Sequence, residues 1–326
     1  MNETITLPKY IEKILSLASK HNNLKVYKSL CFRGHSDNSY KLLPSIARRI
    51  QKHKEETFLD YEGELVAIAK NRYPEIFRDE PYPLNLLAKL QHHGIPTRLL
   101  DVTENPLAAL FFACSNNDDK DGEVIVFVNS YASEVPSSTS NMIADSYRFA
   151  YNIMGGFTYL DVFIQKSISQ PYWEQYFADR YFSDTLDTFY EISCSKPIFV
   201  SALQLSSRQR AQQGKYILFP NEFGYLILQE DSDGNIIRVN KDDFFNNRKD
   251  IPLNFKDNAK GVFRNNINEI PKESKYIVSI IKIPYNSKKI LLQQLASVGI
   301  TKATLFPDSI DKGCEDIVER IKAWSI

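Results

Sequence analysis

The sequence predicts an α+β fold: a mixed or antiparallel sheet as the core, helices on its flanks, and a helical, aromatic-rich insertion. Three observations carry this expectation. Short runs rich in β-branched and aromatic residues recur at residues 25–32, 97–102, 123–129, 196–203, 215–219 and 276–283. Between many of them lie stretches whose apolar residues return at helical spacing. Residues 141–196 are crowded with aromatic side chains, from Tyr147 to Tyr190.

In chain order, residues 8–20 form an amphipathic helix on Tyr10, Ile11, Ile14, Leu15 and Leu17. The strand at 25–32 runs into Arg33-Gly34-His35. An arginine at a strand end, with glycine beside it for close backbone approach, suits an oxyanion or a phosphate. A surface arginine before a turn is the plain alternative. After Leu42-Leu43-Pro44-Ser45 a helix collects Arg48, Arg49, Lys52, His53 and Lys54, the chain's basic cluster. Residues 55–90 read as helix, loop and helix, with Glu62 and Glu64 set among Phe58, Tyr61, Leu65, Ile68 and Ala69.

A polar loop, 91–96, leads to the strand at 97–102 and then to a helix. Asn105 is a good cap for that helix, and Pro106 fits its first turn. Residues 107–113 leave no polar face, which predicts burial. Residues 97, 99, 101 and 103 share a strand face, so Asp101 and Thr103 stand side by side and Arg98 opposite. A partly positive helix start beside Asp101, Thr103 and Asn105 suits an anion or a nucleotide; an ordinary capped junction is the alternative.

Beyond the buried strand at 123–129, residues 133–140 read as a polar loop. The aromatic insertion follows, spanning 131–196, as core packing or as a wall for stacking bases. The strands at 196–203 and 215–219 enclose Ser206 to Gly214, which presents Gln212 and Gln213 at a strand entry. Asp231 to Asn235 reads as the turn of a hairpin. Residues 241–275 are loop-like. The end reads as a strand at 276–283, a helix capped by Ser287 and ended by Gly299, a strand at 301–306, and a helix at 308–324. The expected division is an N-terminal helix (1–24), a first domain part (25–130), the insertion (131–196) and a second domain part (197–326).

Lys+Arg 40 and Asp+Glu 40 cancel, so no overall field draws the protein to nucleic acid or membrane. No run reaches transmembrane length, and Met1-Asn2-Glu3 lacks the start of a signal peptide, so the expected location is the cytoplasm, with no membrane partner. Cys31, Cys114, Cys194 and Cys314 are widely spaced and form no CxxC pair, which argues against zinc and against a disulfide framework; no metal is expected. The phosphate-loop, zincin and nucleophile-elbow motifs are absent.

Several blocks together resemble one family. Phe32-Arg33-Gly34 with Pro44-Ser45 downstream, the run HHGIPTRLLDVTENPLAALFFA at 92–113, Arg208 with Gln212-Gln213-Gly214-Lys215-Tyr216, and Leu305-Phe306-Pro307-Asp308 are similar to the signature blocks of the FRG-domain family. That family occurs in bacterial and phage proteins, often in mobile or defence settings. A weaker likeness runs to ADP-ribosyltransferases of the Arg–Ser–Glu type and implies a core resembling their fold, with NAD as substrate. By that likeness Arg33 holds the NAD phosphates, Asp101-Val102-Thr103 stands in the place of Ser-Thr-Ser, and Gln212 or Gln213 lies near the place of the Glu. Asp101 or Glu222 is then left to supply the negative charge. The implied catalytic set is Arg33, Asp101 and Gln212. The implied cofactor-binding set is Arg33, Gly34, His93, Asp101, Thr103, Asn105 and Gln213.

Three readings follow. One is an NAD-using transferase or glycohydrolase that acts as a toxin or defence effector, with RNA or protein as acceptor. A second is a non-catalytic nucleotide- or RNA-binding module, favoured by the glutamines, the aromatic insertion and the basic cluster. The third is an interaction domain whose motifs are structural.

Overall fold

The computed structural model describes residues 4–22, 29–50, 57–129, 137–148, 157–159, 166–167, 169–172, 196–203, 206–230, 236–238, 259–264 and 266–307. In order, the elements are α1 (Leu7–Asn22), β1 (Ser29–His35), α2 (Glu62–Arg72), α3 (Pro74–Phe77), α4 (Pro83–His92), β2 (Leu99–Thr103), α5 (Pro106–Cys114), β3 (Gly122–Asn129), α6 (Ser138–Ala144), β4 (Phe157–Tyr159), β5 (Ile198–Val200), α7 (Ser207–Ala211), β6 (Gly214–Leu218), β7 (Glu222–Glu230), β8 (Ile236–Arg238), β9 (Ala259–Arg264), β10 (Ile277–Ile283), α8 (Lys288–Ser297) and α9 (Lys302–Leu305). A six-stranded sheet runs β10-β3-β1-β2-β6-β5, and a four-stranded sheet runs β4-β9-β7-β8. Every strand pair among the described residues is antiparallel, so the sheet expected as mixed or antiparallel is antiparallel.

Strand alternation sorts the core. Phe32, Val124, Val126, Ile281 and Ile283 point to α1, α5 and α8. Leu99, Val200, Tyr216 and Leu218 point to α2, α4 and α6. On the opposite face Cys31, Leu100, Val102, Ile125, Phe127, Ile217 and Phe219 meet Leu42, Ile46, Leu59, Ile267 and Ile270. Each fully buried Leu, Ile or Phe contributes about 1.5–3 kcal/mol relative to exposure.

α5 lies against the sheet because β1 and β3 offer glycine there. A Cβ on Gly34 would stand 1.9 Å from the Ala109 carbonyl oxygen, and one on Gly122 would stand 2.5 Å from that of Ala113. Asn105 caps α5 as expected, its Oδ1 accepting from Leu107 N at 2.9 Å and Ala108 N at 3.3 Å. Tyr10 then ties α1 to the helix start, donating to the Pro106 carbonyl at 2.8 Å.

Arg98 is wholly buried. Its Nε donates to Glu62 Oε1 at 2.9 Å, its Nη2 pairs with Glu62 Oε2, and its Nη1 donates to Asn221 Oδ1 at 2.9 Å and to the Phe219 carbonyl at 3.2 Å. The pair anchors α2 to β2 and to the chain after β6.

Several local expectations are corrected. Of the basic helix expected after Ser45, the described residues form one turn, Ser45–Ala47, and Arg48 is extended, because Ile46 N and Ser45 bond to Thr97 instead of continuing a helix; Lys52, His53 and Lys54 lie outside the described residues. Ser138–Ala144 is a buried helix rather than part of a loop, capped by Ser137, and it fills the space over α4. Within the insertion expected to be helical, Phe157–Tyr159 is a strand, paired with β9. β9 itself falls in a stretch expected to be loop; its partner β7 supplies the ladder. Residues 302–305 form a turn of helix, not a strand, because Thr301 and Thr304 make a reciprocal capping box. Gly299 does end α8, at φ 84°, but the Ser287 hydroxyl accepts from Ile5 N and leaves that helix uncapped. The helix expected at 308–324, and most of the aromatic residues of 149–195, lie outside the described residues. Tyr147 and Tyr172, which are described, belong to the core.

Candidate functional site

The large sheet parts at its centre. β1 and β3 match over seven residue pairs and β2 and β6 over five, but β1 and β2 meet only at Phe32↔Thr103. Beyond that pair the gap is bridged by a side chain: Arg33 Nη1 donates to the backbone carbonyl of Asp101 at 2.5 Å. Arg33 alternates with Phe32 and Gly34, which face α5, so it leaves β1 on the opposite face, beside the 42–48 segment.

Arg33 is half-buried. Among the described residues no carboxylate pairs with it, and its Nη2 donates to no protein group. Burial lowers its pKa, Asp101 acts in the opposite direction, and Arg48 adds to the lowering. A desolvated guanidinium with donors open among the described residues, and a second arginine near it, has the chemistry to hold an anion. Arg33 Nε is fixed by His35 Nε2 at 2.9 Å, and His35 Nδ1 by Glu123 Oε1 at 3.1 Å.

Asp101 leaves β2 toward the helical face and is exposed, its neighbours Leu100 and Val102 being buried on the other side. Gln91 Nε2 donates to its Oδ1 at 2.8 Å. Tyr216 lies opposite it in the register, and the Tyr216 hydroxyl accepts from Gln209 Nε2 at 2.6 Å. Burial, then the charge of Asp101, raises the pKa of that phenol. Thus Arg33 and Asp101 are neighbours across the gap, touching through the Asp101 backbone, while their charged ends leave by opposite faces.

The remaining sequence candidates have structural partners. Thr103 donates its hydroxyl to the Gln212 carbonyl and accepts from Asn105 N at 2.9 Å. The Gln212 amide donates to the Leu305 carbonyl at 2.9 Å. Gln213 sits at φ 47° and accepts from Glu104 N at 3.1 Å, turning the chain into β6. Asn105 is spent on the α5 cap, and Gly34 on contact with the α5 backbone. His93 lies at the exposed end of α4, its ring edge-on to Phe77 at 5.6 Å, and forms no hydrogen bond or ion pair with Arg33 or Asp101. Glu222 accepts from Asn266 Nδ2 at 3.0 Å.

Residues 28–122 match the family model of the FRG domain. An FRG domain is therefore present in the chain. Arg33, Gly34, His93, Asp101, Thr103 and Asn105 lie within the matched FRG segment; Gln212, Gln213 and Glu123 lie outside it. No curated protein and no solved structure matches the chain. In this FRG domain the arginine of the Phe-Arg-Gly triplet keeps donors open among the described residues, and the glycine is what lets α5 lie on β1.

His35, Gln91 and Tyr216 also contact the candidate residues, and Glu123 contacts His35, although no motif singles them out. His35 carried a usable signal: two positions beyond Arg33 on one strand, it shares the arginine's face. Glu123 and Gln91 come from other elements and carry no such signal. Cys31 and Cys114 are buried free thiols whose pKa burial pushes up to about 12, so they stay protonated and inert. Among the described residues no group of three or more His, Cys, Asp and Glu side chains could hold a metal ion, and no helix is long and apolar enough to cross a membrane.

Proposed function

We propose that this FRG domain binds a nucleotide through its diphosphate, with NAD as the ligand, and that Arg33 is the group that holds it. The observation that carries the reading is the half-buried Arg33 guanidinium, which among the described residues has no acidic partner and keeps donors open at the parting of the sheet. A diphosphate supplies the missing negative charge and accepts from a fork of N–H groups.

Asp101 does not meet the second requirement of NAD chemistry from where it stands, because its carboxylate leaves the sheet by the face opposite the Arg33 guanidinium. As nicotinamide leaves, a cation-like ribosyl centre forms, and a nearby carboxylate stabilises it. Asp101 is exposed, and among the described residues its Oδ1 accepts from Gln91 Nε2. Thr103 and Gln212 fit no better, since their polar groups are spent on the turn between β2 and β6. Binding is therefore supported more directly than transfer. Transfer or hydrolysis of NAD in a toxin or defence effector is the reading of that activity that the family's usual settings support.

The test is titration with NAD, alongside an assay for released nicotinamide. Arg33→Ala removes a charged hydrogen-bonding group worth about 1.5–3 kcal/mol, so affinity falls about tenfold or more. Asp101→Asn, on the other face of the sheet, spares binding. Equal NAD affinity in wild type and Arg33→Ala rejects the reading.

A further inference from the structure

Arg33 is restrained by more than an anion site demands. Beyond the two contacts through His35, Lys272 Nζ reaches both oxygens of Glu123, at 2.7 and 2.8 Å, and donates to the Asn38 carbonyl at 2.6 Å. His35 and Glu123 are each only 3% exposed. An arginine Nε always carries its hydrogen, so His35 Nε2 must present a lone pair. The imidazole proton then sits on Nδ1 and is donated to Glu123, which fixes one neutral tautomer.

The groups facing His35 are Arg33 on its own strand, Glu123 on β3, Lys272 on the segment before β10, and the edge-on Tyr40 ring at 5.9 Å. Two are cations, and the single carboxylate is already shared with Lys272. We propose that His35 and Glu123 are positioning residues of the Arg33 anion site: Glu123 locks the neutral tautomer, and the free Nε2 lone pair of His35 holds Arg33 Nε, so that the outer guanidinium nitrogens stay aimed at the ligand. This rests on the anion-binding reading of Arg33.

The arrangement dictates an unusual sign. Protonating His35 sets N–H against N–H and a second positive charge beside a desolvated guanidinium, so Arg33 is driven off its perch. Burial already holds the His35 pKa below the ordinary histidine value, despite the Glu123 hydrogen bond. Anion affinity therefore falls at acid pH. A site that worked by net charge alone would gain affinity there. The diphosphate of NAD stays ionised throughout, so its charge does not confuse the measurement.

NAD affinity is measured from about pH 7.5 to about pH 4.5, a span covering His titration. Wild type weakens by about tenfold or more as His35 protonates, the loss expected for a charge-assisted contact. His35→Gln keeps an acceptor for Nε–H and cannot take up a proton, so its affinity is flat over the same range. Glu123→Gln moves the acid midpoint lower, because the carboxylate that favours imidazolium is gone. Nitrogen-15 NMR of the wild-type protein shows His35 protonated on Nδ1 at neutral pH, with or without ligand. Wild-type affinity that is unchanged or tighter at acid pH overturns the proposal, as does an Nε2-protonated His35. Unchanged affinity in Arg33→Ala sinks the anion-binding reading instead, and the NMR tautomer still decides whether His35 holds Arg33.

Discussion

Gly34 shows how one missing side chain sets the architecture around the site. The Ala109 carbonyl and Ala113 N occupy the place where its Cβ would be, at 1.9 and 2.7 Å, and both are backbone atoms that no rotamer change can move. Gly34→Ala therefore forces α5 off β1. We expect a loss of about 1–3 kcal/mol or more, the cost of overpacking, read as a lower urea midpoint. Arg98 makes the opposite point, a charge where the sequence leaves room for none. Arg98→Ala strands Glu62, 4% exposed, without its counter-ion. Removing one partner of a buried pair costs about 3–5 kcal/mol, whereas the double change Arg98→Met with Glu62→Met costs far less, because no charge is left behind. Denaturant melts of the single and double variants separate the two outcomes.

At the scale of elements, the junction of α6 with the turn that follows it holds a second unusual carboxylate. Asp145 is fully buried, accepts from the Tyr172 hydroxyl at 3.2 Å, and has Arg148 Nε 2.7 Å from Oδ1 without hydrogen-bond alignment. Burial raises its pKa from 3.8 to about 6, against the pull of Arg148. The folded state thus binds this proton more tightly than the unfolded chain does. Stability from this group is greatest at low pH and is lost as pH rises from about 4 to about 6, by about 3 kcal/mol. His35 acts with the other sign, since its lowered pKa makes the fold lose stability as pH falls below 6.5. The comparison that isolates Asp145 is wild type against Asp145→Asn: the advantage of the variant should grow between pH 4 and pH 7, by thermal melts in matched buffers. Elements also show where local sequence sufficed. α5 announced its cap, its proline and its burial, and all three are present because they depend on residues within one turn. Residues 302–305 misled because an apolar, β-branched run is compatible with a strand, and the Thr301–Thr304 box is a helix device just as local.

For the whole molecule, the parting of the sheet between β1 and β2 is the feature with most consequence. A central strand pair joined at one residue pair exposes backbone groups that flanking pairs satisfy, and a side chain stands in for the ladder there. Amides of β2 on the β1 side should exchange hydrogen faster than those of β1 on the β3 side, by mass spectrometry or NMR. NAD held by Arg33 should slow the exchange around the gap and stabilise the fold by about 2.7 kcal/mol at a hundredfold excess over its Kd. Neither effect should survive in Arg33→Ala.

The sequence alone determined most of the strands of the large sheet, the capped and buried α5, and the Phe-Arg-Gly triplet, because periodicity, capping and turn chemistry act over a few residues. It also put Arg33 and Asp101 near one another, through the family resemblance. Only the tertiary structure decided that their charged ends leave by opposite faces, that Thr103, Asn105 and Gln212 are consumed by the chain's own backbone, and that His35 and Glu123 stand behind the arginine. Those outcomes depend on strand register and on which distant element supplies the other half of each hydrogen bond, and neither is written in any local pattern.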